Sequence, residues 1–295
     1  MVNAITVDVE EYFHATEVQQ AIGAENWTSL PSGLQHQLQN TLDLLQSQNV
    51  KATFFILGWV AERFPALIRQ VSNAGHEIGC HSFAHRLVYD LSPEEFRSDT
   101  LRAIHAIQDA CGITPRIYRA PSYSITRQSL WALEILVECG FTHDSSIFPI
   151  VHDRYGIPGA NRLAHVRKTP AGPIFEVPAA TVELAGAVLP IGGGGYLRLL
   201  PYRYCAAGIR RLNERDQAPA CIYFHPWELD PELNRLPMSL IARLRTYTGL
   251  SGMRRKVERL LKEFEFSTLS EAYPYEPGSR DPVHAGLIDR IACNH

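Results

Sequence analysis

What most constrains this chain is a recurring unit in which a short, apolar and β-branched run is followed by a longer stretch with helical spacing. Residues 4–9 open the series as a buried strand running into Asp8, Glu10 and Glu11. Residues 33–48 then place Leu34, Leu38, Leu42 and Leu45 on one face of an amphipathic helix. Residues 52–57 form the second apolar run, and residues 65–74 the second helix, begun by Pro65 and stopped by Gly75. Residues 77–80, 116–119 and 141–144 read as further strands. The helices between them cover residues 92–111, opened by Ser92-Pro93-Glu94-Glu95, and 128–139, closed by Gly140. Such alternation predicts βαβ units on a parallel sheet, an α/β fold of barrel-like type.

From 145 to 220 the alternation fades into Pro- and Gly-containing segments, expected as loops and short strands over one end of the sheet. Gly192 to Gly195 lack the Lys-Ser/Thr of a phosphate loop and read as a flexible loop on the substrate side. A strand over 220–224, helices over 238–247 and 253–263, and a last strand over 265–269 complete the pattern. We expect one catalytic domain over residues 1–272 and a loosely held tail over 273–295.

Composition narrows the functions open to such a fold. With 28 Lys+Arg against 31 Asp+Glu, the net charge of −3 lacks the footprint of a nucleic-acid groove or of binding to an anionic membrane. Six scattered cysteines without a C-x-x-C pair read as reduced thiols. The opening residues do not form a basic and apolar export signal, and the longest apolar run, 52–61, is too short to cross a bilayer. These features predict a soluble, cytoplasmic protein without a transmembrane segment.

In parallel α/β folds the ligand site gathers at the carboxyl ends of the strands. Here those ends carry Asp8-Val9-Glu10-Glu11, His81-Ser82-Phe83-Ala84-His85, Arg119-Ala120-Pro121, Asp144-Ser145-Ser146 and His225-Pro226-Trp227-Glu228. Singly, each has an ordinary explanation as a cap, a core histidine or a salt bridge. Together, two imidazoles and a carboxylate make a three-ligand set that leaves positions open for water and substrate, as in hydrolytic metal sites. Strand alternation turns Asp8 and Glu10 to one side and Val9 to the other. His14 is a further candidate to line the site, and Tyr123, Tyr155, Tyr196 and Trp227 are candidates to stack on a ring.

In their order these segments resemble the polysaccharide deacetylase family, the NodB-homology metal-dependent carbohydrate deacetylases, over about residues 5–225. The opening Thr6-Val7-Asp8-Val9-Glu10-Glu11 departs from the family's common T-F-D-D, since Val9 stands where a metal-binding Asp is usual. Asp8-Val9-Glu10 looks like a subgroup that spaces its two acids by one residue and includes members associated with exopolysaccharide gene clusters. The segments from Asp144 to Pro149, His152 to Gly156 and His225 to Glu228 look like the same subgroup. The resemblance implies a distorted (β/α) barrel with fewer than eight full units, with a C-terminal helical extension. It also implies hydrolytic removal of an N-acetyl group from an amino sugar of a polysaccharide or its precursor.

Site roles follow from the resemblance. Glu10, His81 and His85 would bind a divalent metal, zinc first, with Co, Ni, Mn or Fe as alternatives. Asp8 would be the general base and Arg119 its orienting partner. A backbone N–H near Ser122, where relatives often carry Tyr, would hold the oxyanion. His225 would be the general acid, with Asp144 orienting its imidazole, and Ser122, Tyr123 and Trp227 would contact the sugar. Two other readings stay open: hydrolysis of a non-carbohydrate C–N bond, and a catalytically silent carbohydrate-binding relative. The intact His81/His85 pair weighs against a metal-free version of the first, and retention of Asp8 and His225 against the second.

Overall fold

The computed structural model describes residues 1–276. Eleven strands are present among them: β1 (Asn3–Val9), β2 (Thr53–Ile56), β3 (Glu77–Cys80), β4 (Ile117–Tyr118), β5 (His143–Asp144), β6 (His165–Thr169), β7 (Gly172–Glu176), β8 (Thr181–Leu184), β9 (Ala187–Pro190), β10 (Cys221–Phe224) and β11 (Phe266–Ser267). The main sheet runs β10-β1-β2-β3-β4-β5-β7-β6, and β11 pairs with β1. All its pairings are parallel except β6 with β7. The chain therefore has an α/β fold. Among the described residues β10 and β6 do not pair, so the sheet is not hydrogen-bonded into a closed barrel. The segment after β7 crosses the opening instead: the Val177 N–H donates to Asp144 O, and the Ala180 N–H to Cys221 O.

β1 explains why the site forms where it does. It lies between β10 and β2, and every one of its residues is buried. Its odd-numbered side chains, Ile5, Val7 and Val9, pack with Leu34, Leu38 and Leu42 of the helix Leu34–Ser47 in the main core. Its even-numbered side chains, Thr6 and Asp8, point to the other face, where Thr6 and Asp8 both meet Arg119. The helix Pro93–Cys111 opens with the expected capping box between Ser92 and Glu95 and ends on Gly112 in the left-handed conformation.

The second half holds more regular structure than its sequence predicts. Residues 165–190 form two antiparallel hairpins. A helix spans Tyr202–Glu214 where loops and short strands were expected. Its buried stripe includes the small residues Cys205, Ala206 and Gly208, a weak hydrophobic signal. A Cβ on Gly208 would lie 2.5 Å from Ile191 Cγ2, so the helix packs closely there, with Ile209 and Leu212 buried on the same stripe. Nor are Gly193 and Gly194 a free loop. They lie against the Tyr223 ring, 2.1 Å from which a Cβ on Gly193 would fall, and lead into the helix Gly194–Leu199. The expected tail begins packed: Tyr273 is buried and donates to Pro219 O, and the Tyr275 ring stacks on Phe175. The remainder of that tail lies outside the described residues.

Candidate metal and acid–base site

β1, β3, β4 and β10 deliver their terminal residues to one cavity of about 270 Å³, close to the lower end of small-molecule pockets (roughly 300–1,000 Å³). Asp8, Glu10, His81, His85, Ser122, Tyr123, His225 and Trp227 all line it.

Arg119 organises the floor. It is fully buried, and its Nη1 donates to Asp8 Oδ1 (2.8 Å) and Thr6 Oγ1 (2.7 Å). Its Nη2 donates to Ser145 Oγ (2.9 Å) and its Nε to Ser145 O (3.2 Å), while the guanidinium lies 4.1 Å from the Phe55 ring centre. The cation is thus paired and hydrogen-bonded, which is the condition for burying it. The other Asp8 oxygen, Oδ2, faces His225 Nε2 at 3.9 Å.

Glu10, His81 and His85 present ligand atoms that all lie within 4.8 Å of one another, and all three side chains are buried. The His81 Nδ1 lies 2.8 Å from the Arg119 carbonyl, which only accepts, so Nδ1 carries the proton and Nε2 keeps a lone pair. Burial pushes the His81 imidazole down to about 4, so it is neutral at pH 7. His85 Nε2 is 2.7 Å from Glu10 Oε2, yet that buried oxygen has no aligned hydrogen-bond donor. Burial opposes ionisation of Glu10, but the surrounding His85, His225 and His81 overcome it and hold the carboxyl well below the usual carboxylate range. A buried carboxylate oxygen without a donor, beside two imidazoles, fits a divalent cation better than a proton. The intervening loop is fixed: His85 N–H bonds Ser82 Oγ, Asp99 accepts from the Phe83 and Ala84 N–H groups, and Ser82 and His85 both have positive φ (64° and 50°).

His225 hangs over this cluster, its Nε2 3.6 Å from Glu10 Oε1. Its Nδ1 is 2.9 Å from Glu228 Oε2, which also accepts from the His225 backbone N–H. Glu228 Oε1 in turn accepts from Arg198 Nε at 2.5 Å, and Arg198 donates to the carbonyls of Arg245, Thr246 and Thr248. Burial alone would depress the imidazole, but Glu228, Glu10 and Asp8 raise it to about 9. His225 is therefore an imidazolium at pH 7.

Asp144 requires a correction. Its carboxyl accepts from Ser146 Oγ (2.5 Å) and neighbours Glu176, which accepts from the Ile147 N–H. Burial raises both carboxyls, Glu176 far above its usual range. The carboxylate bonded to His225 is Glu228. Sequence reasoning had the signal in His225-Pro226-Trp227-Glu228: residues three apart on one turn face each other.

Other expected contacts move as well. Trp227 is 3% exposed, stacks on His225 (5.2 Å between rings) and directs its Nε1–H at Glu10 Oε1 (3.4 Å), so it buttresses the cluster more than it offers a free platform. Tyr123 is wedged between Phe148 and Tyr223. Ser122 and Tyr123 both have positive φ (50° and 53°), and Ser122 Oγ meets Thr16 Oγ1 at 2.8 Å. His14 packs behind His85 and takes the Glu11 N–H on its Nδ1. At the cavity mouth, Arg154 pairs with Glu17 at 2.6 Å, and Arg245 reaches Glu17 and Asp153, both at 3.6 Å. Asp153 and Arg154 fall in the segment His152 to Gly156 that the sequence marked, whereas Glu17, Arg245 and Arg198 carried no such signal.

Comparison with known proteins places two family matches end to end: polysaccharide deacetylase over residues 30–142 and a domain of unknown function, DUF3473, over residues 145–274. A peptidoglycan-N-acetylglucosamine deacetylase of Bacillus cereus is 36% identical over 94 residues, covering 32% of this chain and 34% of that protein. A chitooligosaccharide deacetylase of Bradyrhizobium sp. is 37% identical over 126 residues, covering 42% of this chain and 55% of the relative. The chain thus spans less than two thirds of either curated relative. A crystal structure of a Mycobacterium smegmatis protein classed with the polysaccharide deacetylases superposes with a TM-score of 0.60 at 19% identity, over 92% of this chain and 88% of the other, and shares the fold.

Proposed function

We propose that this chain, which belongs to the polysaccharide deacetylase family, is a metal-dependent hydrolase that removes the N-acetyl group from an amino sugar of a polysaccharide or its precursor. The observation that carries this reading is the convergence of an Arg119-paired carboxylate and a charged His225 over Glu10, His81 and His85 in one cavity. Glu10, His81 and His85 would hold the cation, and two nitrogens with one oxygen suit zinc first. When bound, such an ion polarises the acetyl carbonyl and lowers the pKa of water nearby.

The remaining work falls to the chain's own groups. Asp8, held by Arg119, accepts a proton from the attacking water as its oxygen bonds to the carbonyl carbon. The backbone N–H near Ser122 steadies the oxyanion. His225 passes the proton on Nε2 to the sugar nitrogen as the C–N bond breaks, giving acetate and the free amine. Glu228 keeps Nδ1 occupied, so Nε2 is the nitrogen that faces the reaction.

Release of acetate from N-acetylated amino-sugar oligomers by the purified, metal-supplemented protein, with Asp8→Asn as control, tests this. No acetate from any such oligomer, with metal demonstrably bound, would overturn it.

A further inference from the structure

Three segments that border the cavity carry exposed apolar side chains. Leu240 is 70% exposed, Ile241 66%, Leu244 56%, Leu199 54% and Val151 84%. These five make up half of the large exposed apolar side chains among the described residues. In the helix Leu240–Tyr247, Leu240, Leu244 and Ile241 fall within an arc of about 100°. The buried Thr246 and half-buried Ala242 lie opposite, and Arg243 and Arg245 bracket the apolar arc. An apolar stripe that faces solvent, flanked by arginines, is the inverse of what core packing needs.

The three apolar segments are tied together at the mouth. Arg245 lines the cavity and reaches Asp153, close in sequence to Val151, and its carbonyl accepts from Arg198, which precedes Leu199. Charge is local too. Although the whole chain carries −3, residues 233–257 contain Arg235, Arg243, Arg245, Arg254, Arg255 and Lys256 and no Asp or Glu. No helix among the described residues is long and apolar enough to cross a membrane, so a lipid partner would be met in its interfacial plane.

We propose that the helix Leu240–Tyr247 docks on an anionic lipid bilayer through its apolar arc, which faces away from the cavity-lining Thr246 on the same helix. The apolar arc enters the headgroup boundary, and Arg243 at its edge meets lipid phosphates. Docking stands independently of the hydrolytic reading, since it needs no turnover.

Co-sedimentation with vesicles of equal parts phosphatidylglycerol and phosphatidylcholine tests it, using the full chain and the triple variant Leu240→Ser, Ile241→Ser, Leu244→Ser. The full chain should pellet with these vesicles, less with pure phosphatidylcholine and less in high salt. The triple variant should partition roughly ten-fold more weakly or worse, with unchanged Tm and unchanged turnover of a soluble substrate. A full chain that stays in the supernatant at low salt, or a triple variant that pellets equally, would overturn the proposal. So would a lowered Tm, which would show the chain itself covering the arc, or a dimer dispersed by the triple variant without vesicle binding, which would assign the arc to a second copy.

Discussion

Asp8 and Glu10 sit two residues apart on one strand and point the same way, yet their neighbours give them different work. Asp8 meets a guanidinium fixed by further hydrogen bonds to Thr6 and Ser145 and by the Phe55 ring, whereas Glu10 meets imidazoles and the Trp227 N–H. Replacing Asp8 by Asn removes the proton acceptor while keeping shape, so kcat should fall by roughly 10²–10⁴ with metal content unchanged. Metal lost along with activity would instead make Asp8 a ligand. The His225 partner is tested in parallel. Glu228→Gln weakens the bond that fixes the imidazole, so kcat should fall well before KM changes. Asp144→Asn, in a pair where burial already favours the neutral form, should leave kcat near wild type. The reverse ranking, measured by steady-state kinetics, would restore Asp144 to the acid's side. The sequence exposed Asp8, Glu10, His81, His85, Arg119 and His225 because each stands at a strand end. Glu228 stood three residues from His225, where its role was legible; Arg198 and the pairing of Glu17 with Arg154 and Arg245 were hidden because they come from contacts between segments far apart in the chain.

Elements were readable to the extent that their burial was carried by large side chains. The first-half strands and the helix Pro93–Cys111 announce themselves through β-branched runs, caps and stop glycines. The helix Tyr202–Glu214 mixes small buried residues with Ile209 and Leu212, and β6–β7 and β8–β9 form antiparallel hairpins, so neither repeats the pattern that marked the first half. The join between β5 and β7 carries its own pH signature. Glu176 is fully buried beside Asp144 and its carboxyl is raised well above the usual value, chiefly by burial and then by Asp144. Between the ordinary carboxylate pKa of about 4 and that raised value, the folded chain holds a proton that the unfolded chain has released. This group's contribution is therefore full at low pH and is lost as pH rises. Urea midpoints should show the Glu176→Gln variant gaining on wild type as pH climbs from about 4 to neutrality, with Asp144 and Ile147 still bonded to the amide. A difference between the two proteins that does not change with pH would mean Glu176 is ionised in the folded state.

At the scale of the whole molecule, the three proposed ligands come from β1 and from the loop after β3, so one ion would tie together two stretches of chain some seventy residues apart, Glu10 with His81 and His85. Unfolding separates these stretches, and an ion that prefers the folded arrangement must then raise its stability by mass action. At a free metal concentration of about a hundred times Kd the gain is roughly 2.7 kcal/mol, several degrees in Tm for a chain of this size. The same argument fixes the pH dependence of that gain. His81 is already neutral down to about pH 4, so protons compete little there. Chelator-treated protein should therefore melt several degrees higher on addition of Zn²⁺, saturably. His81→Ala should abolish the shift while changing the Tm without added metal much less, because among the described residues the imidazole hydrogen-bonds only the Arg119 carbonyl, which Ser145 and Asp8 still help to position. An equal Zn²⁺ shift in wild type and His81→Ala would locate the metal elsewhere and separate the fold's integrity from the site assigned to it.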